Sequence, residues 1–306
     1  MVDLGKKRDV IVLGSSGMVG SRVADHLAQS GFRVVGLSRH FRSALLHGWD
    51  AHRVDSYGKT GIDLEAHAIV NCAGPTSKWA EENPEQFQLF AHEHASNIRE
   101  LRKQTGAQHV VNLSTVHVYA KEFNGLVSET HPHENDHPYA SGHSMLEGLL
   151  SEQNNVANLR ISNSYGASRG LSSSSWGLFT QDLVRQFVAT GNAQIRGNPL
   201  GKRDFIPLSD VVAAIQHVLA TRSTGAFNVV SSKTLRLADW AEYLAKVGST
   251  VLDRELFVDD ANPGIEVPEY SFASDKLKGA GYSHPDNPQT ELESLFKLAI
   301  EDRDEG

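Results

Sequence analysis

The chain has 306 residues, 40% of them hydrophobic and 22% charged, with a formal net charge of −8. That length buries a sizeable core as one large domain or two small ones, and the acidic balance argues against nucleic-acid binding by bulk charge. The single cysteine, Cys72, excludes an internal disulfide and fits a reducing compartment. No run reaches the roughly 18 apolar residues of a membrane helix, and no apolar leader precedes the first strand, so a cytoplasmic protein without membrane contact is expected.

Residues Val10 to Gly20 read VIVLGSSGMVG. The run Val10–Leu13 reads as a buried strand, the G-x-x-G-x-x-G spacing as a tight turn, and Met18 to Gln29 as an amphipathic helix. Such a turn aims backbone N–H groups, at the positive end of a helix dipole, into one small space suited to a pyrophosphate. Gly14 permits the turn, Gly17 lets phosphate approach, and Gly20 lets helix and strand pack closely. Ser16, Met18 and Val19 share the turn. Further strand-like runs follow at Arg33–Leu37, His52–Asp55, Ala68–Ala73, His109–Leu113 and Ala157–Ile161, with helical patterns at Pro84–Thr105 and Tyr139–Gln153. Strand–helix alternation implies parallel strands joined by right-handed crossovers, a doubly wound Rossmann-type α/β sheet. Beyond Ile161 the pattern loosens. Residues 164–177 are Ser/Gly-rich and read as a loop over a site or as a plain surface loop. Helices are expected at Gly177–Thr190 and Ser209–Thr221, and Ala226–Val230 is placed to return to the sheet. The division expected is a dinucleotide-binding domain over 1–163 with a later return of 204–230, and a substrate domain from 164–203 and 231–306.

Several pieces run in a recognisable order: GSSGMVG, ENPEQF, LSTVHVYA, PYASGHSMLE, LRISNSYG, RDFIPLSDVVAAI, GAFNVVSS and ASDKLKGAGY. Together they resemble the extended short-chain dehydrogenase/reductases, the group of nucleotide-sugar epimerases, dehydratases and reductases. The resemblance implies a Ser/Thr, a Tyr and a Lys at the reacting centre, the last two spaced Y-x-x-x-K. Tyr139 matches the tyrosine, which exchanges the hydroxyl proton while hydride moves. The lysine position holds His143, the largest departure in the chain. Helical spacing puts it on the face of Tyr139. Two readings stand for it. A protonated imidazole takes over the lysine's charge, or the site is weakened and the protein binds nucleotide without efficient turnover. Thr115, four residues before Tyr119, matches the Ser/Thr that hydrogen-bonds the substrate oxygen, with Ser114 the second candidate. His117 follows Thr115 by two, on the same side if the segment is extended, as an extra acid/base or a structural histidine. Val116 stands where dehydratases carry an acid, which argues against sugar 4,6-dehydration. Ala91 replaces an asparagine found seven residues after the proline matching Pro84.

Cofactor preference is read at the second strand end. NAD-preferring members place a carboxylate there, whereas this chain has Ser38, with Arg39 and Arg42 behind it. Losing the carboxylate removes repulsion of a 2′-phosphate, and arginine binds one bidentately, so NADP(H) is favoured with NAD(H) as the alternative. Asp55, taken to end the third strand, matches an adenine-contacting aspartate. Ala73 and Gly74 in NCAG match small residues along the cofactor, and Cys72 reads as a small buried residue rather than a nucleophile. On the substrate side, Asn163 and Arg203 match positions that hold a nucleotide diphosphate. Asn262, before Pro263–Gly264, stands where a second arginine is usual. Arg169 and Trp176 are further contacts offered by the 164–177 loop. The expected substrate is a small molecule, a nucleotide sugar before a smaller one. The reaction is ketoreduction or epimerisation, and the other class of reading is a nucleotide sensor or scaffold with decayed catalysis. The resemblance also implies a homodimer through helices near 86–104 and 139–153.

Overall fold

The computed structural model describes residues 9–40, 48–61, 63, 65–119, 123–133, 136–169, 175–259, 263–285 and 287–305. Arg42, Asn262 and positions 170–174 of the Ser/Gly-rich loop lie outside the described residues. The first elements are β1 (Asp9–Leu13), α1 (Met18–Gln29), β2 (Arg33–Ser38), β3 (Asp50–Arg53), β4 (Ala68–Asn71), α2 (Ser77–Glu82) and α3 (Pro84–Thr105). There follow β5 (His109–Thr115), β6 (Gly125–Val127), α4 (Pro138–Ser151), β7 (Val156–Ile161), β8 (Asn163–Tyr165), α5 (Phe179–Thr190) and β9 (Asn192–Gln194). The chain continues through β10 (Lys202–Pro207), α6 (Leu208–Thr221), β11 (Gly225–Val229), β12 (Thr234–Arg236) and α7 (Leu237–Leu252). It ends with β13 (Phe257–Asp259), β14 (Tyr270–Phe272), α8 (Asp275–Gly279) and α9 (Pro288–Glu305).

A seven-stranded sheet runs in the order β11-β7-β5-β4-β1-β2-β3. The strands from β3 to β5 pair in parallel. Helices cover such a sheet on both faces, which is why its inner strands read as continuous apolar runs: β4 and β7 are buried throughout. Strand order reverses between β1 and β4, so the chain diverges to either side of their carboxyl ends and opens the crevice where ligands bind in such sheets. Pro84 and Pro138 stand in the first turns of α3 and α4, where the missing N–H costs nothing. The inward stripes of these helices, with Ala95, Ile98, Leu101, Leu146 and Leu150, join Ile11, Ile69 and Val110 in one core.

Two compact units emerge. The first comprises Met1–Lys121, His131–Arg160 and Val212–Phe227, and the second Glu122–Thr130, Ile161–Val211 and Asn228–Gly306. This departs from the division expected from the sequence in four places: the first unit ends at Arg160 rather than 163, its return ends at Phe227 rather than 230, and two longer segments also change unit. Residues 122–130 join the second unit because β6 pairs with β14. The return to the first unit starts at Val212 rather than 204, because β10 pairs with β8 and β12 in a sheet of the second unit. The second unit has its own aromatic centre, where Trp240 stacks on Phe205 at 4.5 Å and its indole N–H donates to Thr180 Oγ1 at 3.0 Å.

Two glycines separate packing from propensity. A Cβ on Gly20 would lie 2.2 Å from the Gly14 carbonyl oxygen, whereas one on Gly148, exposed on α4, would meet nothing within 4 Å. Gly20→Ala is expected to lower the unfolding free energy by about 2–3 kcal/mol, and Gly148→Ala to raise it by about 0.5–1 kcal/mol. Urea unfolding of both variants checks this.

Candidate functional site

The glycine turn is held by its own crowding. Gly14 has φ +72°, and a Cβ there would lie 2.8 Å from Ala73 Cα. Its amide donates to the Leu37 carbonyl at 2.8 Å, and the Gly17 amide donates to the Gly14 carbonyl at 2.9 Å. Gly17 caps α1 without a side-chain bond, and no acidic residue occupies the first turn, which leaves the positive end of the helix suited to an anion. Met18 is buried and Val19 half-buried behind it. Ser38 does more than leave out a carboxylate. Its buried Oγ accepts from the Ser16 N–H at 2.9 Å and pairs with Ser15 Oγ at 3.1 Å, tying the turn to the end of β2. Arg39 is exposed, and its guanidinium bonds the hydroxyl of Tyr57, which also reaches the Gly14 backbone. Burial pushes that phenol up. The sequence reading missed Tyr57, whose signal is a lone aromatic in a polar loop. It also placed Asp55 wrongly: β3 ends at Arg53, so Asp55 is an exposed residue beyond the strand.

Ala73 and Gly74 lie in the loop after β4, with Cys72 between Ala73 and the strand. The Ala73 N–H donates to Asn71 Oδ1 at 3.2 Å. Asn71 donates to Asn112 at 2.8 Å, and Asn112 to Asn158 at 2.9 Å, so side-chain amides cross three strands in the buried sheet. Because Asn71 Oδ1 is an acceptor, His94 Nε2, 2.8 Å away, is the donor. Burial, then the charges of Arg39 and His143, push His94 down to about 3, so it stays neutral. Cys72 is half-buried rather than fully buried, and desolvation pushes its thiol up.

At the candidate reacting centre, β5 carries Ser114 and Thr115 to its end, and residues 116–118 form a one-turn 3-10 helix. Thr115 Oγ1 accepts from the His117 N–H at 3.2 Å and so caps that turn. The segment is therefore not extended, and the two-residue spacing does not put Thr115 and His117 on one face. His117 is exposed, its ring 6.4 Å from that of Tyr139. Ser114 Oγ is buried without a hydrogen bond among the described residues. Tyr139 lies in the first turn of α4, and its N–H donates to His137 Nδ1 at 3.2 Å. Its ring is 4.5 Å from that of His143 and 6.1 Å from Phe87, and Ala91 is buried. Neither His143 nitrogen has a partner among the described residues, and its Cε1 would lie 3.8 Å from a Cβ on Gly74. Burial, with a smaller contribution from His117, pushes His143 from its ordinary 6.5 down to about 4. Burial also pushes the Tyr139 phenol up to about 12. Burial thus disfavours the charged form of the His143 imidazole and the ionised form of the Tyr139 phenol.

Within the second unit, Asn163 Nδ2 donates to the Asp204 carbonyl at 2.9 Å, joining β8 to β10. Arg203 is exposed with its guanidinium 5.7 Å over Phe179. The Asp204 carboxylate beside it is fully buried and accepts from Ser162, from the Ser231 hydroxyl and amide, and from the Lys233 amide. Arg169 is exposed, whereas Trp176 is buried with Arg185 5.6 Å over its ring. Among the described residues no cluster suited to a metal ion occurs, and no helix is long and apolar enough to cross a membrane.

Comparison with known proteins agrees with this architecture. The model of the NAD dependent epimerase/dehydratase family matches residues 10–230. UDP-glucuronic acid decarboxylase 1 of Arabidopsis thaliana is 24% identical over 326 residues, covering 100% of this chain and 74% of the relative. A UDP-N-acetylglucosamine 4-epimerase from Methanobrevibacter ruminantium M1, solved with UDP-N-acetylmuramic acid, superposes with a TM-score of 0.82 at 18% identity, covering 97% of this chain and 99% of that one. A UDP-glucose-4-epimerase from Stenotrophomonas maltophila, solved with NAD and formylated UDP-arabinopyranose, gives 0.79 at 18% identity, covering 98% of this chain and 100% of that one.

The buried histidines set an acid sensitivity. A base whose folded pKa lies below its unfolded value contributes stability that is complete above the unfolded pKa and is lost as pH falls toward the folded one. His143 (about 4) and His94 (about 3) are both of this kind. Unfolding free energy is therefore expected to fall as pH drops from about 6.5 to 4. His143→Met should flatten that slope by close to one proton, read by urea unfolding across the window.

Proposed function

The chain belongs to the NAD-dependent epimerase/dehydratase family, and from that premise we propose that it moves a hydride between a nicotinamide dinucleotide and a carbon–oxygen centre of a nucleotide-linked sugar, with Tyr139 as proton donor and acceptor. The observation that carries this reading is the set Tyr139, His143 and Ser114. It holds a phenol, an imidazole with both nitrogens unpartnered among the described residues, and an unpartnered buried hydroxyl, in the unit that also holds the glycine turn.

The residues present fit a dinucleotide. Gly14, Ser16, Gly17, Met18, Val19 and Gly20 would hold its pyrophosphate, Ser38, Arg39 and Asp55 its adenosine end, and Ala73 and Gly74 its middle. The dinucleotide supplies hydride exchange. His143, neutral and able both to donate and to accept, would bond a ribose hydroxyl, satisfying nitrogens that otherwise cost desolvation. Tyr139, kept a phenol by burial, is equipped first to give a proton to a carbonyl oxygen as it becomes a hydroxyl. That favours net ketoreduction over epimerisation, which also takes the proton back. Ser114 and Thr115 would orient the substrate oxygen, and His117 stands as a further proton-transfer group. Asn163, Arg203, Arg169 and Trp176 are the proposed substrate contacts, Arg203 toward the diphosphate.

NADP(H) is the proposed cofactor, since residue 38 carries no charge and Arg39 stands beside it. NAD(H), which the Stenotrophomonas epimerase holds, is the alternative. A cytoplasmic homodimer completes the proposal, and exposed Leu89 on α3 is apolar surface that a second copy would cover. The reading of a sensor or scaffold draws on one observation, the neutral His143 where catalysis by this family's pattern has a cation.

Two experiments test the proposal. Nucleotide released on denaturing the purified protein is identified, and the emptied protein is titrated with NADPH and NADH by fluorescence. Exchangeable binding that favours NADPH is expected. Tightly retained NAD overturns the Arg39 assignment and points to epimerisation, and no binding of either overturns the whole reading. His143→Lys is expected to keep or raise turnover and to move the pH optimum upward, because a lysine keeps its charge to higher pH than an imidazole, whose ordinary pKa is about 6.5. Complete loss of turnover in that variant contradicts the role given to His143.

A further inference from the structure

The first unit holds a buried ion pair that no proton or hydride step uses. Arg160, on β7, grips the Glu147 carboxylate with two nitrogens on one edge of its guanidinium: Nε lies 3.1 and 3.2 Å from the two oxygens, and Nη2 2.7 Å from Oε2. Its remaining arm, Nη1, donates to the Tyr119 hydroxyl at 3.0 Å, and the guanidinium carbon lies 5.0 Å from that ring. Arg160 and Glu147 are 5% and 3% exposed, and Tyr119 is fully buried. The edges of His131 and His133 meet the Tyr119 ring at 5.9 and 5.8 Å, and His133 Nδ1 lies 2.8 Å from Ser144 on α4.

Where these partners sit gives the pair its meaning. Glu147 lies on α4 four residues beyond His143 and eight beyond Tyr139, on one slowly drifting stripe of the helix. Tyr119 directly follows the one-turn helix that carries His117, itself continuous with Ser114 and Thr115 at the end of β5. One guanidinium therefore binds both elements that carry the reacting centre, while its own backbone belongs to the rigid sheet. Two charges left in a core seldom add stability over an apolar pair of the same volume, so stability alone is a weak reason for them. A planar fork is, however, directional: two parallel bonds hold the rotation of α4 about its axis, and the third holds the end of β5.

We propose that Arg160 is the positioning residue of this site, setting the register of the Tyr139–His143 helix face against the Ser114–His117 turn through Glu147 and Tyr119. The proposal rests on the reading of Tyr139 as the acid/base. Its role is geometric, and a displacement of about 1 Å at a reacting group costs on the order of 100-fold in rate.

The test replaces both charges together, Arg160→Met with Glu147→Leu, because either change alone strands a buried charge and unfolds the chain. The full-length double variant is expected to melt close to wild type, to bind the dinucleotide within about threefold, and to lose roughly 100-fold in kcat with KM little changed. Tyr119→Phe, which cuts only the link to the turn, should show a smaller loss of the same kind. Amide hydrogen exchange is measured beside the kinetics. Exchange should quicken at residues 114–119 and 138–143 and stay unchanged elsewhere in the sheet. A folded double variant with full kcat overturns the proposal. So does unchanged exchange at those two segments, whether or not the wild-type chain turns over a substrate. Absent wild-type turnover with quickened exchange overturns the functional reading alone.

Discussion

The close approach of three backbone segments at the ends of β1 and β4 is the constraint on which the first unit depends. Gly14 lies against Ala73, and Gly20 against the Gly14 carbonyl, at distances that leave no space for a Cβ. That contact brings the start of α1 to the strand ends, with its amides forward and its first turn free of acid. Ser38 and the Asn71–Asn112–Asn158 ladder then hold the surrounding loops by side-chain hydrogen bonds. Buried amides are costly unless satisfied, so a ladder in which each donor finds the next acceptor stiffens the cradle instead of weakening it.

Desolvation governs the chemistry beside it. Tyr139 and His143 stand against Phe87, and among the described residues no carboxylate bonds the imidazole. A lysine in the same place keeps its charge more readily than an imidazole, whose ordinary pKa lies only just below neutrality. An imidazole held neutral by burial offers a donor and an acceptor, where a lysine would offer a standing cation. The acid form of the phenol and the neutral form of the histidine are both consequences of the same burial.

How much was legible in the sequence follows from what burial does to pattern. The inner strands are apolar on both faces, so β1, β2, β4, β5 and β7 stand out as short hydrophobic runs, and the helix Pro84–Thr105 is marked by a proline at its start and Gly106 at its end. The edge strand β3 reads DAHR, with no apolar signal, and was expected two residues late, which carried Asp55 with it. Strands of three residues in the second unit, such as β8, β9 and β12, are too short to show a period. At the site, Tyr139, His143 and the glycines were visible because spacing marks them. The asparagine ladder was hidden because asparagine usually signals a turn. The charge state of His143 was hidden because it depends on neighbours from α3 and from the loop after β4, which lie far away in sequence.

The most direct measurement is to add a panel of UDP-sugars and their keto forms to cofactor-loaded protein and follow the reduced-nicotinamide absorbance band, in wild type and in Tyr139→Phe. The account predicts a substrate-dependent change of that band in wild type, slowed by about 10² to 10⁴ in the variant. An equal rate in the variant, or no change with any sugar in wild type that has bound its dinucleotide, contradicts it.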